Sequence, residues 1–301
     1  MLIEKYIKYL RYEKNYSLLT EISYSEDLSQ FSSFLETDFP DIDIQSVDSD
    51  IIRSWMAYLM ENKISPRSVN RKLSTLKSFY KYMLRIKEIT SDPTKKIKGP
   101  NTDKPIPSFV NNSDMEKILD GRNFDDTFES MRDRTIIELF YVTGIRRAEL
   151  IGIKDTDIDL NKGTVRVTGK RNKQRIIPLG NSIIDLIEKY ITIRNEEIEN
   201  QSGHLFVKED GQQLYPMLVH RIVSEHLKDI PTLSKTSPHV LRHSFATAML
   251  NDGAGINSVK ELLGHASLAA TEIYTHTSFE ELKRIYEHAH PRAENEEEET
   301  L

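Results

Sequence analysis

The residues with the most chemical reach lie in four short islands. The stretch Thr143-Gly-Ile-Arg-Arg-Ala-Glu-Leu150 sets two arginines behind a helix-ending glycine. Adjacent helical residues diverge by about 100°, so only one of Arg146 and Arg147 can face a given site. Lys170 stands at a turn among Arg166, Arg171, Lys173 and Arg175, where an anionic polymer could be gripped. In Pro238-His-Val-Leu-Arg-His-Ser-Phe245, His239 and Arg242 are i, i+3 at the start of a helix. Both can donate to one oxyanion, helped by the positive end of the helix dipole. Last, His265 follows Gly264, and Tyr274 comes nine residues later, with His276 just beyond.

Together these islands supply what metal-free phosphodiester transesterification needs. Cations hold the developing charge, a hydroxyl attacks, and an acid protonates the leaving alkoxide. Each island alone also fits a plain surface or packing role. His239 and His243 match the spacing of a zinc pair, but HVLRH lacks the metalloprotease glutamate and Arg242 would repel a dication.

The 301 residues, 29% charged, suit one large domain or two ordinary ones. No cysteine is present, which excludes disulfides and a thiol nucleophile. No apolar run approaches the ~18 residues of a membrane helix, so a cytoplasmic location is expected. The net charge of −6 speaks against a nucleic-acid partner until its distribution is read. Residues 31–50 hold six acids and no base, and Glu294 with Glu296 to Glu299 make the tail acidic. Lys63 to Lys98 holds eleven bases against Glu88 and Asp92, and 160–179 holds six bases and no acid. Local density on one face decides phosphate binding more than the total does.

Positioning these groups requires a mostly helical chain. Ile3, Ile7 and Leu10, then Leu28, Phe31 and Leu35, repeat at helical spacing. Asp48 or Asp50 can cap a helix bearing Ile51, Ile52, Trp55 and Leu59. Ser65-Pro66 opens a long helix to about residue 87, with Val69, Leu73, Leu76, Phe79, Tyr80 and Met83 as its core stripe. Lys72, Lys77 and Lys81 fall elsewhere on that wheel, available to phosphate. Ser91 to Pro107, with four prolines and four lysines, has the composition of a linker. Beyond it, helices are expected from about 112, 126–142, 182–199, 215–228, 238–251, 258–263 and 278–288. Thr164–Thr168 and Arg175–Pro178 read as two short strands about the turn Gly169-Lys170-Arg171-Asn172.

In order and spacing the islands resemble the tyrosine recombinases of the phage integrase family. The motifs are Arg146 in GIRRAEL, Lys170 in VTGKRNK twenty-four residues on, His239 and Arg242 in PHVLRHSFAT, His265 in LLGHASL and Tyr274 in TEIYTH. The likeness spans essentially the whole chain and is nearest to the Xer branch, its XerC-like members in particular. One departure is Ala248, where a histidine often follows in the family. The resemblance implies a mainly α fold with a small antiparallel β-sheet, built as a two-domain DNA clamp. Residues 1–92 would form a helical core-binding (SAM-like) domain, 93–107 a linker, 108–290 the catalytic domain and 291–301 an acidic tail.

It further implies Tyr274 as nucleophile of a 3′-phosphotyrosyl intermediate. Arg146, Arg242 and His265 would hold the phosphate, His239 would move a proton and Lys170 would protonate the leaving 5′-oxygen. Glu149 becomes a support behind Arg146, and His204, His220, His226, His243, His288 and His290 become packing residues; His276 stays undecided. Neither metal nor ATP nor another cofactor is called for. Arg67, Arg71, Lys72, Lys77, Arg171, Lys173 and Arg175 are expected to contact DNA. The implied partners are a double-stranded recombination site, a tetramer on DNA that includes a second related recombinase, and a septal DNA translocase. The implied role is chromosome dimer resolution at cell division. The alternatives are a mobile-element integrase or DNA invertase, and a DNA-binding regulator without catalysis. The C-terminal helix, at about 278–289, is expected to dock on a neighbouring subunit.

Overall fold

The computed structural model describes residues 2–102, 109–120, 124–169, 172–231, 233, 235–264, 283–286 and 288–292. The chain divides into two compact units, Met1–Pro105 and Ile106–Leu301.

The first unit is four helices: α1 (Leu2–Tyr12), α2 (Leu18–Asp38), α3 (Ser49–Glu61) and α4 (Pro66–Arg85). Three of them start on the side-chain caps that orphan N–H groups require. Ser17 accepts from Thr20 N, Asp48 from Asp50 N and Ile51 N, and Ser65 from Ser68 N with Pro66 in the first turn. The amphipathic faces close on an aromatic core. Trp55 meets the face of Phe31 edge-on at 4.9 Å, and Tyr6 meets Phe79 likewise at 5.3 Å. On α1 the deepest residues are Tyr6 and Leu10, with Ile3 and Ile7 on the flanks.

The expected linker is partly a packed strap. Thr94 and Ile97 are buried, Ile97 O accepts from Lys77 Nζ at 2.9 Å, and Pro100 O accepts from Asn70 Nδ2 at 2.8 Å. Prolines and lysines obscured two core contacts in that stretch. Residues 103–107 lie outside the described residues.

The second unit starts with α5 (Asn112–Leu119), α6 (Phe128–Thr143) and α7 (Arg147–Gly152). A three-stranded antiparallel sheet follows, β1 (Ile158–Asp159), β2 (Thr164–Thr168) and β3 (Gln174–Pro178), in the order β1-β2-β3. Val165 faces Ile177 and Val167 faces Arg175 across the β2–β3 ladder. β1, only two residues long, was not among the expected strands. Helices α8 (Asn181–Glu197), α9 (Pro216–Leu227), α10 (Pro238–Asn251) and α11 (Ile256–Leu262) complete the order.

From Thr135 to Thr143 every residue of α6 is buried, so this helix is the axis of the unit. It packs against α8 and α10. A helix buried all round shows no amphipathic stripe, and α6 has none. Residues 283–286 and 288–289 are also helical. Their Tyr286 and Ala289 join Phe245, Met249, Val259 and Leu262 in a separate small core. His290 stacks on Phe245 and Tyr286, both at 5.5 Å, and Arg292 pairs with Glu138 at 3.0 Å and Asp120 at 2.9 Å. Within this single chain, then, the described residues of the segment expected to dock on a neighbour pack on its own α10 and α11. Among the described residues no helix is long and apolar enough to cross a membrane.

Candidate functional site

The loop between α6 and α7 turns on Gly144, whose φ of +58° is the left-handed conformation of a helix-ending glycine. Its N–H closes on Phe140 O at 2.9 Å. A Cβ there would stand 2.5 Å from the Phe245 ring and 2.8 Å from Leu263, so only glycine fits. The turn delivers Arg146 to the N-cap of α7. Its backbone N–H donates to Glu149 Oε2 at 2.8 Å, and its Nη1 donates to Glu149 Oε1 at 2.8 Å. Nη2 reaches Gly264 O at 3.1 Å, beyond the end of α11.

Glu149 is buried and serves a second cation. Arg175 donates from Nη1 and Nη2 to the two carboxylate oxygens, each at 3.0 Å, and from Nε to Leu262 O at 2.7 Å. Burial alone would raise the Glu149 pKa; the bonds from Arg175 and Arg146 overcome it and hold this carboxyl below its usual range. Arg242, one turn into α10, donates to two backbone carbonyls, Gly144 O at 2.5 Å and Leu263 O at 2.8 Å. Burial, with the nearby charges of Arg146 and Arg175, pushes its pKa down to about 10, so it stays cationic at neutral pH.

Among the described residues, three guanidiniums thus converge with one carboxylate between them. Carbonyls orient without neutralising, and one Glu cannot balance three arginines. The arrangement is a fixed, net-positive pocket for an oxyanion, pre-organised as charge stabilisation in a transition state requires. His239 lies exposed on the first turn of α10, one helical turn before Arg242.

Other expected residues fall as follows. Lys170, Arg171, His265, Tyr274 and His276 lie outside the described residues, as do the tail glutamates. Arg147 is exposed, its Nη1 on Pro216 O at 3.3 Å. Arg175 was expected to touch DNA but is buried as the brace of Glu149. The strand period could have shown it, since Arg175 and Ile177 share the inward face of β3. Lys173 is exposed, while Arg166 pairs with Asp157 at 2.7 Å.

In the first unit, Lys72 was also expected on phosphate. It is buried, donating to Asp27 Oδ1 at 2.9 Å and to Gln30. The same Asp27 receives both terminal nitrogens of Arg71 and the hydroxyl of Thr75. Arg67 is exposed, as is Lys77 apart from its bond to Ile97 O. His290 is buried and burial lowers its pKa to about 4, a neutral packing residue as expected. His243 sits beside the ring of Phe109, 6.4 Å centre to centre.

Two mainly helical units, the second gathering Arg146, Arg175 and Arg242 around Glu149, have the cationic site of a protein that handles an anionic group such as a phosphate. Residues 108–281 match the phage integrase family and residues 3–87 its N-terminal SAM-like domain. The tyrosine recombinase XerC of Chlorobaculum parvum is 38% identical over 97% of this chain and 94% of its own. The tyrosine recombinase XerD of Staphylococcus saprophyticus is 36% identical over 97% and 99%. The solved XerH site-specific recombinase bound to palindromic difH substrate, 25% identical, superposes with a TM-score of 0.72 over 95% of this chain and 83% of that one. The chain belongs to the phage integrase family of tyrosine recombinases.

Proposed function

We propose that this protein is a site-specific DNA recombinase that cuts and rejoins DNA through a 3′-phosphotyrosyl intermediate, acting in chromosome dimer resolution at cell division. The observation that carries the proposal is the assembly of Arg146 and Arg242 with their Glu149–Arg175 brace at the ends of α6, α10 and α11.

In this reading Arg146 and Arg242 donate to the non-bridging oxygens of the scissile phosphate, aided by His265. The Tyr274 hydroxyl forms the P–O bond, His239 moves its proton, and the P–O5′ bond breaks. Lys170 protonates the departing 5′-oxygen. The bond energy stays in the phosphotyrosine, so rejoining needs no nucleotide. Each site cuts one strand, and exchange between two duplexes therefore calls for four subunits. A second related recombinase and a septal DNA translocase are the further partners in this proposal. The Xer-named relatives, at 36–38% identity over nearly the whole chain, favour the chromosomal role over a mobile-element one.

The test is covalent capture. Genomic fragments bound by the protein supply its site, and that site, nicked beside the scissile phosphate, traps any adduct. A protein–DNA band resistant to denaturant, with a free 5′-hydroxyl on the released strand, is the expected result. Tight binding without any such band would make the protein a regulator instead.

A further inference from the structure

We propose that Arg71 reads a base, donating two hydrogen bonds to the major-groove edge of a guanine in the recombination site, and that Asp27 holds it ready to do so. The proposal rests on the DNA-binding reading above and goes beyond it to a residue that sets sequence specificity.

Asp27, on α2, faces α4 and is 1% exposed. Its Oδ1 accepts from Arg71 Nη2 at 2.8 Å and Lys72 Nζ at 2.9 Å, and its Oδ2 from Arg71 Nη1 and from Thr75 Oγ1 at 2.9 Å. Lys72 and Thr75 are themselves buried, so this carboxylate cannot swing outward. Arg71 Nη1 donates once more, to Ser23 Oγ at 2.7 Å. An arginine side chain 47% exposed is therefore locked in one pose from its inner end. A guanidinium carries five N–H donors. The Nε–H and one Nη2 hydrogen of Arg71, a parallel pair along one edge, have no partner among the described residues. That edge matches the O6 and N7 acceptors of guanine.

Two features favour a base over a phosphate. Arg71 shares its counter-charge with Lys72, so the cluster offers one net positive charge and a rigid fork. Arg67, one turn earlier on the same helix and exposed, has no counter-ion among the described residues and is the better phosphate ligand. Rigidity paid for in advance by Asp27 sharpens discrimination between bases more than it adds Coulomb attraction. Second, Leu19 and Ser23 are i, i+4 on α2, so Leu19 lies on the helix face that holds Arg71. Leu19 is 79% exposed and Ile22 is 44% exposed. Apolar groups beside a donor fork suit base edges and thymine methyls, where a charged backbone offers them nothing.

The experiment selects bound sequences from a randomised half-site library with the full chain as wild type, Arg71→Lys and Asp27→Asn. Lysine keeps the charge and loses the fork. Wild type should enrich guanine at one position, and Arg71→Lys should lose at least about fivefold of that preference while its affinity for random DNA changes less than threefold. Asp27→Asn should weaken the same position with Arg71 still present, which a simple helix-pinning role would not do. As a check free of any folding effect, wild type is titrated with sites carrying 7-deazaguanine at that position, and the same loss is expected. A uniform drop across all positions, or no penalty for 7-deazaguanine, overturns the base contact and leaves Arg71 a phosphate ligand. If wild type enriches no sequence at all, the DNA-site reading fails together with this one.

Discussion

Replacing Glu149 by glutamine should damage stability and cleavage together, through separable routes. Glu149 is 3% exposed and takes both nitrogens of the buried Arg175, at 3.0 Å each. Removing one partner of a buried pair costs about 3–5 kcal/mol, because the other charge is left uncompensated. Part of Arg146 stays in solvent, so about 3 kcal/mol is the fair figure. At about 2–4 °C per kcal/mol for a unit of this size, melting should fall by about 6–12 °C. The gap should depend on pH. The folded pKa of Glu149 lies below its unfolded value, so its contribution is complete above that unfolded value and is lost as pH falls through the folded one. The gap between wild type and Glu149→Gln should therefore begin to narrow as pH falls below the ordinary glutamate value of about 4.3 and close only below the lowered folded value. Cleavage should slow by about 10²-fold, the scale of losing one pre-organised donor, since the glutamine amide nitrogen cannot accept and Arg146 loses one of its two bonds to this side chain. The double variant Glu149→Met with Arg175→Met separates the routes: neither charge of the buried pair remains, so melting should recover to near wild type, while adduct formation stays slow. If Glu149→Gln melts and cleaves as wild type does, the brace has no such role. If the double variant also recovers cleavage, Glu149 serves only to neutralise Arg175.

Tyr274→Phe should bind the site normally and form no adduct; an adduct mapped to another tyrosine would displace the assignment. Lys170→Ala should cleave ordinary DNA about 10²–10⁴-fold slowly yet approach wild type when sulfur replaces the scissile 5′-oxygen, because a thiolate leaves without protonation. Equal impairment on both substrates would leave Lys170 a phosphate contact. Affinity should fall steeply with salt despite the net charge of −6, with a log–log slope of about −0.9 per phosphate neutralised, and a nearly flat dependence would refute binding through local basic faces. Adduct formation should persist in excess EDTA; abolition by chelation with rescue by a divalent ion would point to metal-dependent chemistry.

Helix starts were the most legible part of the fold, because caps act within a few residues. Ser65-Pro66 and Asp48 stand at helix starts, and Gly144 at a helix end, where local chemistry placed them. The helix about 126–142 begins two residues later than expected, on the cap Thr127. What depends on a distant partner was not legible. Nothing around Lys72 shows Asp27, forty-five positions earlier, and an unpaired lysine at that position would have faced solvent. Arg175 was read by its charge when its strand register was the better guide. In the candidate site, Arg242 stood out by its spacing to His239 and Arg146 was singled out from Arg147 only by the family resemblance, whereas the carbonyls that hold them belong to chain turns that no spacing reveals.

Those carbonyls also set when competence can arise during synthesis. Arg146 takes its aim from Gly264, 118 positions later, and Arg242 bridges back 98 positions to Gly144 and forward 21 to Leu263. A nascent chain that has emerged only as far as α10 therefore carries both arginines with neither fully aimed. The bonds that arrange them close long loops, which are the slow steps of folding. Ribosome-bound fragments and chains cut short before residue 263 thus lack the arranged cations, and under the proposed mechanism a partly made protein would be a poor cutter of the DNA it meets.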